Sequence, residues 1–154
     1  MGAVSLQTAI VITGKSRRTL WRRIEEADLR RDADNSRNRT LLDGDWVRQN
    51  SLVDMGDEEW GLVLAGVGGD AAAQNGEGGV FLEAKIEAAA LYWFEQAAAQ
   101  NHADALHWLA HCHVAGKGAP ENHALGMMYL ARAANLGHVI ASEQLSAIHR
   151  QVLR

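Results

Sequence analysis

The feature that most constrains this chain is an internal repeat. Ala90 to Leu109 (ALYWFEQAAAQNHADALHWL) lies over Gly126 to Leu145 (GMMYLARAANLGHVIASEQL) at an offset of 36 residues. Identities fall at Ala97/Ala133, Ala98/Ala134, His102/His138, Ala105/Ala141 and Leu109/Leu145. A period of roughly 20 to 50 residues belongs to stacked supersecondary units, each too small to bury its apolar face alone. Small residues at matched positions let helices approach closely, and Trp93/Tyr129 and Phe94/Leu130 supply the bulk between them. The second half of the chain is therefore expected to be a stack of helix pairs.

The repeated pieces are Tyr92 to Ala98 (YWFEQAA), Asn101 to Ala105 (NHADA), Leu109, and Gly116 to Pro120 (GKGAP). An aromatic-rich helix ending in Ala-Ala, an Asn-His or Gly-His turn, a second helix and a glycine loop together resemble the Sel1-like branch of the tetratricopeptide-type repeats. Two matches cover about residues 84 to 149. A degenerate third starts near Trp60, with its turn at Gly69 to Gln74 and its loop at Asn75 to Gly78, and its return through Val80 to Glu87 departs from the pattern. The resemblance implies an α-α solenoid that binds a protein partner on its concave face. His102 and His138, at one repeat position, are expected as turn or capping residues. Six of the fifteen glycines lie between Gly66 and Gly79. Each costs a helix about 1 kcal/mol relative to alanine, so loops are expected on both sides of Asp70 to Gln74.

Ahead of the repeats, Ser5 is placed to cap a short helix through Leu6, Ala9 and Ile10 that ends at Thr13-Gly14, and Ser16 to cap a second, whose apolar stripe is Leu20, Ile24 and Ala27. A strand-like Thr40 to Leu42 and a helix through Trp46 and Val47 follow a polar turn, as in a small hairpin or wing. Thr13 to Ile24 (TGKSRRTLWRRI) resembles the helix-turn-helix of excisionase-like and MerR-like domains. That resemblance implies DNA contact. Lys15, Arg17, Arg18 and Arg22 would meet phosphates or base edges, Thr19 and Trp21 the sugar-phosphate backbone, and Arg37 and Arg39 would serve the wing. The competing expectation is a packing or dimerisation helix whose arginines are solvated or paired with Glu25, Glu26 and Asp28.

The fold expected is thus mostly α: a winged helix-turn-helix over residues 1–50, a connector with a degenerate repeat over 51–83, and Sel1-like repeats over 84–154. Charge divides the same way. Residues 1–50 hold ten Arg/Lys against seven Asp/Glu, a balance of +3, while residues 51–154 balance to −7 within the overall −4. Such asymmetry suits different partners for the two halves.

His107, His111, Cys112 and His113 invite a zinc reading, because positions four apart share a helix face. However, Cys112 and His113 fall where the repeats place core residues, and no second paired ligand motif accompanies them, so no metal is expected. No nucleophile motif, phosphate loop or carboxylate pair stands out, and neither an enzyme nor a cofactor is expected. The lone cysteine, the lack of a run of eighteen apolar residues and an N-terminus without a signal-type apolar core point to a cytoplasmic protein with no membrane partner. The leading expectation is a regulatory protein that binds double-stranded DNA at its N-terminal end and a protein, or a second copy of itself, through the repeats. The alternative is an interaction adaptor that binds no DNA. Two repeats form a short solenoid, which the N-terminal unit or a second chain would have to cap.

Overall fold

A computed structural model describes residues 2–27, 29 and 40–154. The chain divides into two compact units, one running to Gly69 and the other from Asp70 to Arg154.

In the first unit a strand leads directly into a capped helix, twice. Strand β1 (Ala3–Ser5) ends on Ser5, whose Oγ accepts the Thr8 N–H at 3.1 Å and opens α1 (Leu6–Thr13). Strand β2 (Leu41–Asp43) ends on Asp43, whose carboxylate accepts the Trp46 N–H at 2.9 Å and opens α3 (Gly44–Gln49). The two strands pair antiparallel, with Val4 opposite Leu42. The strand expected at Thr40 to Leu42 thus exists, but its described partner is the N-terminal strand rather than a neighbour in a local hairpin. Three residues alternating half-buried and buried carry too short a period to be read as a strand beforehand.

Between the strands, α1 closes at Gly14, which has φ +64° and donates its N–H to Ile10 O at 2.9 Å. A Cβ there would be both strained and 2.9 Å from Leu52, so only glycine suits the turn. Ser16 then caps α2 (Arg17–Glu26) by accepting the Thr19 N–H at 3.1 Å, and Leu20 and Ile24 are buried. Helix α4 (Asp57–Val67) follows, with Trp60, Val63 and Gly66 buried. Arg48 braces its entry, donating from Nε to Met55 O and pairing through Nη2 with Asp57 at 2.8 Å. Val4, Ile12, Leu20, Leu42, Val47 and Val63 are wholly buried.

The second unit is a helical array: α5 (Ala71–Glu83), α6 (Glu87–Ala99), α7 (Ala103–Ala115), α8 (His123–Asn135) and α9 (Val139–Val152). Each packs on the next. The turns repeat in detail. Gly69, Asn101 and Gly137 all take positive φ. The residue after each, Asp70, His102 and His138, caps the following helix by accepting an N–H three residues on. The capping expected of the two histidines is what they do.

One expectation fails here. Asn75 to Gly78 is not a loop, because α5 runs unbroken through Gly76, Gly78 and Gly79. Tertiary packing overrides propensity: a Cβ on Gly78 would lie 2.5 Å from the Phe94 ring, so the glycine is what lets α5 close on α6. The fully buried side chains of the array include Phe81, Trp93, Phe94, Leu106 and Leu109. Among the described residues, no helix is long and apolar enough to cross a membrane.

Candidate interaction surfaces

Two surfaces present chemistry. The first is α2 and the turn before it. Arg17, Arg18 and Arg22 are exposed, as is Arg23, while Thr19 and Trp21 are half-buried and Lys15 is half-buried in the turn, its N–H donated to Thr13 Oγ1. The geometry follows from the helix period, since burying Leu20 and Ile24 turns Arg18 and Arg22, four apart, outward together. Arg22 and Arg23 both lean on Glu26, at 3.8 and 3.7 Å. No described ion pair holds Arg17 or Arg18. The expected wing residues Arg37 and Arg39 lie outside the described residues, as does Asp28.

The second surface is a groove of about 500 Å³ between α7, α8 and α9. Its buried lining is Ala110, Gly126 and Leu130, and its accessible lining includes Trp108, Val114, Met127 and Ile148. His107, His111, His123 and Gln144 supply the polar groups. Trp108 stacks on Phe94 with ring centroids 5.9 Å apart and planes inclined by 13°, yet 38% of it stays exposed.

Imidazoles organise one end of the groove. His107 Nε2 and Gln144 Oε1 are 3.1 Å apart, tying α7 to α9. The His107 ring also stacks on His138, whose Nδ1 caps α9 and whose Nε2 lies 3.4 Å from Asp104. Burial holds His107 below the usual histidine range. His138 and His111 push in the same direction, against the Gln144 hydrogen bond and Asp104.

The four residues that invite a zinc reading do not converge. Cys112 is buried, and burial pushes its thiol above its usual range. His113 is buried against Tyr129, ring centroids 5.5 Å apart, whereas His107 and His111 line the groove. Among the described residues, no group of three or more His, Cys, Asp or Glu side chains is placed to hold a metal ion.

Sequence reasoning did not single out Met127, Gln144 or Ile148. A signal was present in the repeat alignment, where Gln144 stands opposite Trp108 and Leu130 opposite Phe94. The groove lies where the second repeat departs from the first.

No family model matches the chain, and no curated protein matches it. Solved structures do. A Sel1 repeat protein from Oxalobacter formigenes is 30% identical with a TM-score of 0.54, over 60% of this chain and 29% of that one. The protective antigen c5321, present in uropathogenic Escherichia coli strains and displaying an SLR fold, is 20% identical with a TM-score of 0.55, over 62% of this chain and 22% of its own. The chain thus spans less than a third of either protein. It is mostly helical and carries a Sel1-like repeat fold.

Proposed function

We propose that this chain is a protein-interaction module of the adaptor kind, and that its repeat unit receives a partner polypeptide in the groove between α7, α8 and α9. The observation that carries this reading is an apolar-lined groove of about 500 Å³ with an exposed tryptophan at its side. A few polar groups amid apolar lining is the usual make-up of a ligand site, and tryptophan is over-represented among residues that dominate binding energy. The likeness to Sel1 repeat structures supports it.

A peptide-display selection on the whole protein tests the proposal. Enriched sequences should bind the wild type and lose about thirtyfold or more in Trp108→Ala, the scale of a binding hot spot of about 2 kcal/mol. Recovery of no peptide that distinguishes the wild type from Trp108→Ala would overturn it.

A second reading is favoured by one observation, the outward placement of Arg17, Arg18 and Arg22 on α2. On this reading α2 is the second helix of a helix-turn-helix and meets duplex DNA through its arginines, Thr19 and Trp21, with Lys15 in the turn before it and Arg37 and Arg39 as further contacts. A net charge of +3 over residues 1–50 makes any such binding weak and salt-sensitive.

A further inference from the structure

The two repeats fill corresponding space differently. In the first, Phe94 on α6 is wholly buried, its ring set against Gly78 of α5 and stacked on Trp108 of α7. In the second, the residue matching Phe94 is Leu130 and the residue matching Trp108 is Gln144. Gly78 stands eight residues beyond the cap Asp70, as Ala110 stands eight beyond the cap His102. All three counterparts, Ala110, Leu130 and Gln144, line the groove. The groove is therefore the place that an aromatic pair occupies one repeat earlier, emptied by exchanging two ring systems for smaller side chains.

Resting on the interaction reading above, we infer that the groove takes a tryptophan or phenylalanine side chain of a partner polypeptide, held against Trp108 as Phe94 is in the first repeat. Trp108 both stacks on Phe94 and lines the groove, so an entering ring extends a stack already begun. Charge points the same way. No Arg, Lys, Asp or Glu lines the groove, so apart from its imidazoles it offers a charged side chain no counter-ion for the water that side chain would lose. The polar atoms of His107 and Gln144 are already turned on each other. An occupant needs little polarity of its own, which an indole or phenyl ring satisfies.

The test titrates the whole chain with N-acetyl-tryptophanamide, N-acetyl-phenylalaninamide and N-acetyl-leucinamide, followed by NMR of the Met127, Leu130 and Ile148 methyl groups. Saturable shifts are expected with the aromatic amides, at least fivefold tighter than with leucinamide. They should vanish in Leu130→Phe/Gln144→Trp, which rebuilds the first repeat's pair, with Gln144→Trp alone as the milder variant should the double one misfold. No saturable shift, equal affinity for leucinamide, or binding that survives in the filled variants would each overturn the inference. The display selection separates the two proposals. Groove-binding peptides without a shared aromatic would sink this inference and leave the interaction reading standing, whereas aromatic amides that bind while no peptide is recovered would sink both.

Discussion

The imidazole of His138 lies on that of His107, centroids 4.5 Å apart and planes inclined by 21°. Both rings hold α9: His138 Nδ1 accepts the Ala141 N–H at 3.1 Å, and His107 Nε2 meets Gln144 at 3.1 Å. The cap requires an Nδ1 without a proton, and two protonated rings would repel. Asp104, 3.4 Å from His138 Nε2, opposes that repulsion, and His111 adds to it at His107.

Acid should therefore weaken the repeat unit. Burial lowers the His107 pKa in the folded chain below the value of about 6.5 expected when unfolded. The unfolded state then binds the proton more readily, so this contribution is intact above about pH 6.5 and is lost as pH falls through the folded-state value. Urea midpoints should be flat at about pH 7.5 to 8.5 and drop below about pH 6.5, with a smaller drop in His107→Gln. An identical pH profile in that variant would show that His107 is not responsible.

The cap itself can be separated from that titration. Asparagine is a strong N-cap that does not titrate, so His138→Asn should keep stability near neutral pH within about 0.5 kcal/mol, while His138→Ala should lose about 1 kcal/mol. Urea unfolding at about pH 7.5 checks both. Equal losses in the two variants would mean that the ring stack, rather than the cap, is what His138 contributes.

Glycines within α5 should respond in opposite directions. A Cβ at Gly76 meets nothing within 4 Å, whereas one at Gly78 meets the Phe94 ring at 2.5 Å. Gly76→Ala should stabilise by about 0.5–1 kcal/mol through helix propensity. Gly78→Ala gains the same propensity but overpacks the contact, for a net loss of about 1–2 kcal/mol. Thermal unfolding of the two variants gives the comparison, and a stabilising Gly78→Ala would refute the close approach of α5 and α6.

These contrasts also mark what the sequence made legible. Caps are local, so Ser5, Ser16, His102 and His138 were readable from type and spacing, and the 36-residue offset placed α6 to α9. Strand β1 was not readable, because its three residues acquire meaning only against Leu41 to Asp43, far along the chain. Helix α5 was missed for a related reason, since the phenyl ring that Gly78 accommodates sits sixteen residues further on. The groove needed a comparison of the repeats where they differ, at Leu130 and Gln144, rather than where they agree.

The arginines of α2 yield the remaining prediction, on duplex DNA. Arg22 meets Glu26 only at 3.8 Å, with both side chains more than half exposed, and such pairs contribute about 0–1 kcal/mol. A phosphate can displace Glu26 at little cost. If α2 contacts DNA, the slope of log affinity against log salt should be about −0.9 per neutralised phosphate. Arg18→Ala/Arg22→Ala should then make the slope shallower by about 2, as well as weakening binding. The measurement is fluorescence anisotropy on a labelled duplex, titrated from about 50 to 200 mM salt. Loss of affinity with an unchanged slope would remove Arg18 and Arg22 from the phosphate contacts. A wild-type chain that fails to bind at the lowest salt would leave α2 as a packing helix with solvated arginines, and the interaction reading alone.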